Sequence, residues 1–276
     1  MVRKPRLALI GAGNMGTALI SSWADHGLIA KAGWLVIVDP APSPAALALA
    51  KRLKITITAA LDKDQASLLE TVVLAVKPNM MAAVAAQLSP VLSAGTLLIS
   101  IAAGVTLSRL GALYGDRPLV RAMPNTPAAI GRGATVFVSG INTPKQACAR
   151  ARTLLGATGM AEQVSEEKAL DAVTAVSGSG PAYVFLLAEA MMAAAMAEGL
   201  EPELAQKLVC ETVAGSGELL RRRGCDPAQL RAEVTSPGGT TAAALDVLMG
   251  ESNFAEMIRR AVNQAARRSA RLGVQS

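Results

Sequence analysis

The sequence predicts an α/β protein in two parts, a doubly wound parallel sheet followed by an all-helical domain, and three observations carry that prediction. First, from Leu7 to about Val164 the short β-rich runs RLALIG, WLVIVD, ITIT, TVVLAV, GTLLISI, PLVRAM and ATVFVSG alternate with helical stretches such as NMGTALISSWADHG and MMAAVAAQLSPVL. Strand, helix, strand in that rhythm builds parallel pairs whose crossovers cover both faces of a sheet. Second, strand signals stop after Ser165; EEKALDAVTAVS, PAYVFLLAEAMMAAAMAEGL, PELAQKLVCETVAGSGELLRRRG, PAQLRAEV, TTAAALDVLMG and NFAEMIRRAVNQAARRSARLG all read as helix. Several start with Pro in the first turn and end just before Gly, the expected start and stop marks. Third, GAGNMG at residues 11–16 follows the first strand and opens the first helix. The domains are therefore expected at 1–164 and 165–276.

Composition narrows the function classes. A chain of 276 residues, 51% hydrophobic and 17% charged, can bury two cores of ordinary size. Only 3% of residues are aromatic, which disfavours a stacking platform for nucleic acid. Cys148, Cys210 and Cys225 are odd in number, widely spaced and without a CxxC, so they indicate neither a disulfide framework nor a zinc site; a reducing cytoplasm fits. The basic head and apolar stretch of the first residues imitate a secretory leader, but the glycines and Asn14 interrupt it. The longest uncharged segment, between Asp171 and Glu189, is broken by Gly178, Ser179, Gly180 and Pro181, so no membrane span is expected. The net charge of +6 comes with arginine clusters at 221–223, 259–260 and 267–268, which at helical spacing read as solvated faces rather than a nucleic-acid stripe. An anionic small substrate agrees equally well with that sign. The run from Tyr183 to Ala197 is apolar nearly all round except for Glu189, more than one small helical domain can bury, and predicts homo-oligomerisation.

The glycine motif has a physical reading. Gly11 allows a tight turn, Gly13 lets the backbone approach a pyrophosphate, and Gly16 permits close helix-on-strand packing, while the helix N-terminus offers free N–H groups to an anion. This is the dinucleotide crevice of a Rossmann-type domain. Asp39 ends the next strand, about twenty residues past the glycines, where a carboxylate takes hydrogen bonds from an adenosine ribose and disfavours a 2′-phosphate. It can also simply cap the turn before Pro40. No Arg follows Asp39 directly; Ser43 in the PAPSP turn can meet a phosphate instead, and the residues alone lean to NAD(H) over NADP(H).

Three further stretches fall where strand ends crowd such a crevice: Ala75-Val76-Lys77-Pro78, Ser100 to Gly104 including Ala103, and Arg121 to Pro127 including Met123 and Asn125. Lys77 reads as a cofactor contact or as a solvated lysine. Pro124 and Pro127 bracket Asn125 in a rigid turn suited to holding a nicotinamide ring or to ordinary loop closure. The one histidine, His26, complements the dipole at the end of the first helix. No nucleophile–histidine system and no metal-ligand spacing is present in the sequence, so a redox reaction without strong acid, base or metal suits the inventory.

The motifs GAGNMG, AVKP (75–78), ISIAAGVTL (99–107), RAMPNTP (121–127), AVSGSGPAY (175–183) and VTSPGGTT (234–241) occur in one order along nearly the whole chain. Together they resemble the pyrroline-5-carboxylate reductases. The resemblance implies a helical dimerisation domain interleaved with its twofold mate, often in a pentamer of dimers. It also implies reduction of 1-pyrroline-5-carboxylate to L-proline with NADPH or NADH, the last step of proline biosynthesis. It assigns cofactor contacts to Gly13, Asn14, Met15, Val76, Lys77, Ala103, Met123 and Asn125. Glu167 and the loop residues Ser236, Gly239, Thr240 and Thr241 become substrate contacts. The family commonly prefers NADPH, held by small polar residues after the second strand, so Asp39 is a departure. Several relatives also carry an acid where this chain has Gly224, and no role carries over there.

The chemistry suits such a loop. A protonated cyclic imine is already electrophilic, so hydride transfer mainly needs alignment. Thr241 can hydrogen-bond the ring nitrogen, and the N–H groups of Gly239 and Thr240 with the Ser236 hydroxyl can take the carboxylate; a plain helix cap at Thr240 is the other reading. A hydroxyacid dehydrogenase of the same architecture would want a Lys or His proton donor beside the substrate, which this loop lacks. A non-catalytic NAD(P)-sensing protein would bind cofactor and oxidise it with no imine.

Overall fold

The structure is a computed structural model describing residues 6–29, 33–224, 226–251 and 253–275. The chain divides into two compact units: one runs to Gly178 and takes back the chain from Ala265, and the other is Ser179–Gln264.

The first unit is built on an eight-stranded sheet. Its strands are β1 (Leu7–Ile10), β2 (Leu35–Val38), β3 (Thr56–Thr58), β4 (Thr71–Leu74), β5 (Leu97–Ser100), β6 (Leu119–Met123), β7 (Gly133–Ser139) and β8 (Gly159–Gln163). They lie in the order β3-β2-β1-β4-β5-β6-β7-β8. From β3 to β6 every pair is parallel, in line with the alternating pattern. The helices α1 (Asn14–Asp25), α2 (Pro44–Leu53), α3 (Lys63–Ala66), α4 (Met81–Leu88), α5 (Leu107–Tyr114) and α6 (Lys145–Gly156) connect the strands.

Burial explains the double winding. Leu7 and Leu9 of β1 enter a cluster with Leu19, Ile20 and Trp23 of α1 and Leu154 of α6. Ala8 and Ile10 enter another, with Leu88 of α4 and Leu110 and Tyr114 of α5. Both faces are covered over β1, β2, β4 and β5, so these strands are buried at every position and carry no polar alternation, and each buried Leu or Ile contributes about 1.5–3 kcal/mol. The Trp23 Nε1–H donates to the Leu154 carbonyl at 2.7 Å, tying α1 to α6 inside the core.

Two features depart from the expected all-parallel sheet. β6 and β7 pair antiparallel, because the connection from 124 to 132 is shorter than the dozen or so residues a parallel crossover takes. β8 was not expected: GMAEQ holds no β-branched or aromatic residue, and it pairs with β7 only as a partly exposed edge.

The sheet ends with β8 at Gln163. The segment that follows still belongs to the first unit: α7 (Ala169–Val173) runs into a π-helical turn, Thr174–Gly178, before the second unit begins. That unit holds α8 (Gly180–Ala197), α9 (Pro202–Arg223), α10 (Pro227–Glu233), α11 (Thr240–Met249) and the start of α12 (Phe254–Gln275), whose end from Ala265 rejoins the first unit. No residue of α8 is buried in the isolated chain, and Phe185 and Leu186 are 66% and 65% exposed. Ala169–Ala197 is long and apolar enough to cross a membrane by length and composition, since the Gly-Ser-Gly-Pro stretch does not break it as the sequence reading expects.

The arginine clusters are solvated helix faces: Arg221 and Arg222 pair with Glu218, Arg223 with Glu233 and Arg259 with Glu256, all at the surface. The His26 Nδ1–H donates to the Ser22 carbonyl at 2.9 Å at the end of α1. Cys148 and Cys210 are free thiols; Cys225 lies outside the described residues, as does the basic head of residues 1–5.

Candidate active site

The carboxyl ends of β1, β2, β4, β5 and β6 carry the expected cofactor residues, and the β1–β4 pairing puts the glycine loop beside Ala75-Val76-Lys77. Strand order reverses between β1 and β4, the switch point at which open α/β sheets bind ligands. Gly11 stands at φ +92°, and a Cβ there would lie 2.7 Å from the Ala75 carbonyl oxygen. Any side chain would both strain the backbone and strike the neighbouring loop. At Gly16 a Cβ would come within 2.4 Å of the Gly11 carbonyl oxygen, so helix and turn touch backbone to backbone. Gly13 differs: nothing lies within 4 Å of its Cβ position, and it is the N-cap of α1 with no side chain capping the helix. Bare N–H groups behind an open glycine are what a pyrophosphate requires, so these residues fit a dinucleotide.

Asn14 and Met15 form the first turn of α1, next to this opening. Asp39 follows β2 directly; its Oδ2 accepts the Ala12 N–H at 2.8 Å and its Oδ1 the Ala41 N–H at 2.9 Å. The carboxylate thus holds the glycine loop as well as its own turn. The Ser43 Oγ accepts the Ala46 N–H at 3.2 Å as the N-cap of α2. Lys77 and Pro78 are exposed past β4, and Ala103 is exposed past β5.

Past β6, Asn125 is held at both ends of its amide. Its Nδ2 donates to the Ser177 carbonyl at 3.1 Å, and its Oδ1 accepts the Ala134 N–H at 2.8 Å. The π-helical turn is therefore bonded to the RAMPNTP loop, and Met123 packs against it: a Cβ at Gly178 would meet the Met123 Cε at 2.5 Å. Such π turns interrupt helices mostly where a site needs them.

Glu167 precedes α7. Its Oε1 accepts from the Arg121 Nη1 at 2.7 Å and from the Leu107 N–H, at the first residue of α5, also at 2.7 Å. Arg121 is a charge inside the otherwise apolar β6, and the motif RAMPNTP by itself assigns it no role. A cation in a buried strand is the signal that marks it.

In the second unit the loop between α10 and α11 carries Ser236, Gly239, Thr240 and Thr241. Gly238 adopts φ +67°. Gly239, not Thr240, is the N-cap of α11, and no side chain caps the helix. Thr240 has entered the helix as its first residue, which removes the plain cap reading. The Gly239 N–H closes the turn by donating to the Ser236 carbonyl at 3.0 Å, so it is not directed at a ligand; the N–H groups of Thr240 and Thr241 come next along the helix start. Among the described residues no group of three or more His, Cys, Asp or Glu could hold a metal ion.

Comparison with known proteins agrees with this layout. Residues 167–272 match a family model described as pyrroline-5-carboxylate reductase dimerisation. Residues 6–104 match one described as NADP oxidoreductase, coenzyme F420-dependent. The chain is 39% identical to the pyrroline-5-carboxylate reductase of Pseudomonas aeruginosa over 277 residues, covering 98% of each. It is 37% identical to that of Synechocystis sp., covering 97% of this chain and 98% of the relative. A solved pyrroline-5-carboxylate reductase from Coxiella burnetii superposes with a TM-score of 0.89 at 32% identity, covering 98% of this chain and 99% of that one. The Plasmodium falciparum pyrroline carboxylate reductase, solved with NADP bound, gives 0.83 at 30% identity, covering 99% of both. With identity of this degree running through both the glycine crevice and the helical unit, the chain belongs to the pyrroline-5-carboxylate reductase family.

Proposed function

We propose that this chain reduces the C=N bond of 1-pyrroline-5-carboxylate to give L-proline, using a nicotinamide dinucleotide bound across the strand ends of its first unit. The observation that carries the proposal is the full-length identity to relatives named for this reaction, joined to a crevice that only glycine at residue 11 can form. When bound, the dinucleotide supplies the hydride. The chain's own work is positioning. The uncapped start of α1 takes the pyrophosphate, Asn14, Met15 and Val76 to Pro78 line its path, and Ala103, Met123 and Asn125 hold the nicotinamide end. Asn125 is fixed for that role by its two amide contacts.

The bare start of α11 receives the substrate carboxylate through the Thr240 and Thr241 N–H groups and the Ser236 hydroxyl. The Thr241 Oγ accepts the N–H of the protonated imine, so that a hydride delivered to the ring carbon would move the π pair onto nitrogen and leave the neutral ring amine. Glu167 contributes to substrate binding from its Arg121 anchor.

The exposed apolar surface of α8 is covered by a second copy of the chain rather than by lipid, as expected of a domain matched by a dimerisation model. Five such dimers assemble into the complete particle, and the enzyme works in the cytoplasm.

One assay tests the activity: oxidation of NADPH and of NADH is followed with 1-pyrroline-5-carboxylate beside a panel of oxoacids and hydroxyacids. Turnover with the cyclic imine is the expected result. Turnover only with the panel, or with none of the compounds, rejects the proposal.

A further inference from the structure

We propose that Asp39 makes NADH the preferred reductant of this chain, by fixing a carboxylate where the 2′-phosphate of NADPH would have to lie. This rests on reading the β1–β4 crevice as the dinucleotide site. Asp39 is the first residue after β2, which pairs with β1, and its own N–H is anchored to the Thr58 carbonyl at 3.0 Å. The carboxylate is pinned by one N–H on each oxygen, from Ala12 at 2.8 Å and Ala41 at 2.9 Å. Each oxygen keeps room for another hydrogen bond, but only as an acceptor. Ribose hydroxyls can donate to it; a phosphate dianion can only repel it.

The turn offers such a phosphate little in return. From Gly33 to Ala50 there is no Lys or Arg, and Lys51 and Arg52 lie in the last turn of α2, away from the strand end. Pro40, Pro42 and Pro44 remove three of the five N–H groups that residues 40–44 would otherwise present. Of the remaining two, the Ala41 N–H is committed to Asp39 itself. The Ser43 Oγ accepts from the Ala46 N–H as the cap of α2, which ties its position to the helix start and leaves its O–H as a single neutral donor. From the turn after β2 itself, the 2′-phosphate would therefore meet a held negative charge, no Lys or Arg and, beside the Ser43 hydroxyl, no nest of donors.

The test measures binding without any imine. NADH and NADPH are each titrated into the full-length protein and into Asp39→Asn and Asp39→Ser, with affinity read by calorimetry or nicotinamide fluorescence. Asn keeps an acceptor for the Ala12 N–H but loses the charge, which separates repulsion from loop anchoring. The unaltered protein should bind NADH about tenfold or more tightly than NADPH, and Asp39→Asn should narrow that gap mainly by tightening NADPH. Equal affinities, tighter NADPH in the unaltered protein, or an unchanged ratio in Asp39→Asn overturns the preference. Failure of both dinucleotides to bind overturns the crevice reading and the preference together. Binding with the stated preference but no imine reduction overturns the proposed activity alone.

Discussion

Arg121 and Glu167 form an ion pair of unequal burial: the Nη1 to Oε1 distance is 2.7 Å, with the arginine side chain 8% exposed and the glutamate 30%. The same Oε1 takes the first N–H of α5. One carboxylate oxygen thus joins β6, α5 and the segment entering α7. Removing the glutamate strands a buried cation, whereas removing the arginine leaves a glutamate that water can reach. Glu167→Ala should cost about 2–4 kcal/mol and Arg121→Met less. Urea denaturation at one fixed protein concentration checks the order, and equal midpoints for Glu167→Ala and the unaltered protein would contradict it.

The glycine loop allows a contrast between two neighbours. Gly11→Ala meets both a positive φ and the Ala75 carbonyl oxygen at 2.7 Å, so it should lose about 1–3 kcal/mol of stability and its dinucleotide affinity. Gly13→Ala has open space around the new methyl and should leave stability within about 0.5 kcal/mol while still weakening the dinucleotide, because the methyl enters the pyrophosphate's approach. Thermal melts beside dinucleotide titrations separate the two, and a destabilised Gly13→Ala protein would count against this geometry.

Thr241→Ala removes a hydroxyl from the second residue of α11 without disturbing a cap, since the N-cap is Gly239. Turnover should drop by about tenfold or more, equivalent to about 1.4 kcal/mol of transition-state stabilisation. Steady-state kinetics with the cyclic imine decide it; unchanged turnover with unchanged KM removes Thr241 from the mechanism.

Phe185→Glu puts a charge on α8, where the native side chain is 66% exposed in the isolated chain. If a second copy covers this helix, the substitution should dissociate the assembly or leave it aggregating. Sedimentation velocity reads the outcome, and an intact oligomer of unaltered mass argues that α8 faces something else.

Tyr114 supplies a pH prediction. Its phenol is fully buried in the core of the first unit, its hydroxyl donates to the Met81 Sδ at 3.9 Å, and burial pushes its pKa well above 10.0 although nearby Arg117 pulls the other way. A raised folded-state pKa means that its contribution is complete below the unfolded value of about 10 and is lost as pH climbs from there toward the folded value. Stability should fall faster with pH above about 10 in the unaltered protein than in Tyr114→Phe. Parallel denaturation curves on both sides of pH 10 show whether the slopes diverge.

Much of this arrangement can be read from residue order because its causes are local. β-branched runs at helical intervals identify β1 to β7, and Gly11 to Gly16 mark the crevice, since turn geometry and close approach depend on residue type. β8 escaped because GMAEQ has no strand-forming residue; it is a strand only because β7 offers an open edge. The Gly239 N–H reads as a ligand donor in sequence, yet it is spent on the Ser236 carbonyl, and the Ser43 Oγ serves as acceptor for the Ala46 N–H at the start of α2 while its O–H stays available, neither of which residue order discloses. Arg121 looked like one residue of a motif until its burial against Glu167 gave it a partner forty-six positions away.

The sequence by itself therefore determined the α/β class, the dinucleotide crevice and the family, because periodicity, glycine placement and six ordered motifs are properties of the chain alone. Tertiary structure decided what those residues are free to do. It reversed the sheet at β7 through a connection too short to cross over, and it turned Asp39 into a clamp on the glycine loop. The physical reason is common to both: hydrogen-bond capacity is finite, and which groups spend it on one another depends on chain segments distant in sequence meeting in space.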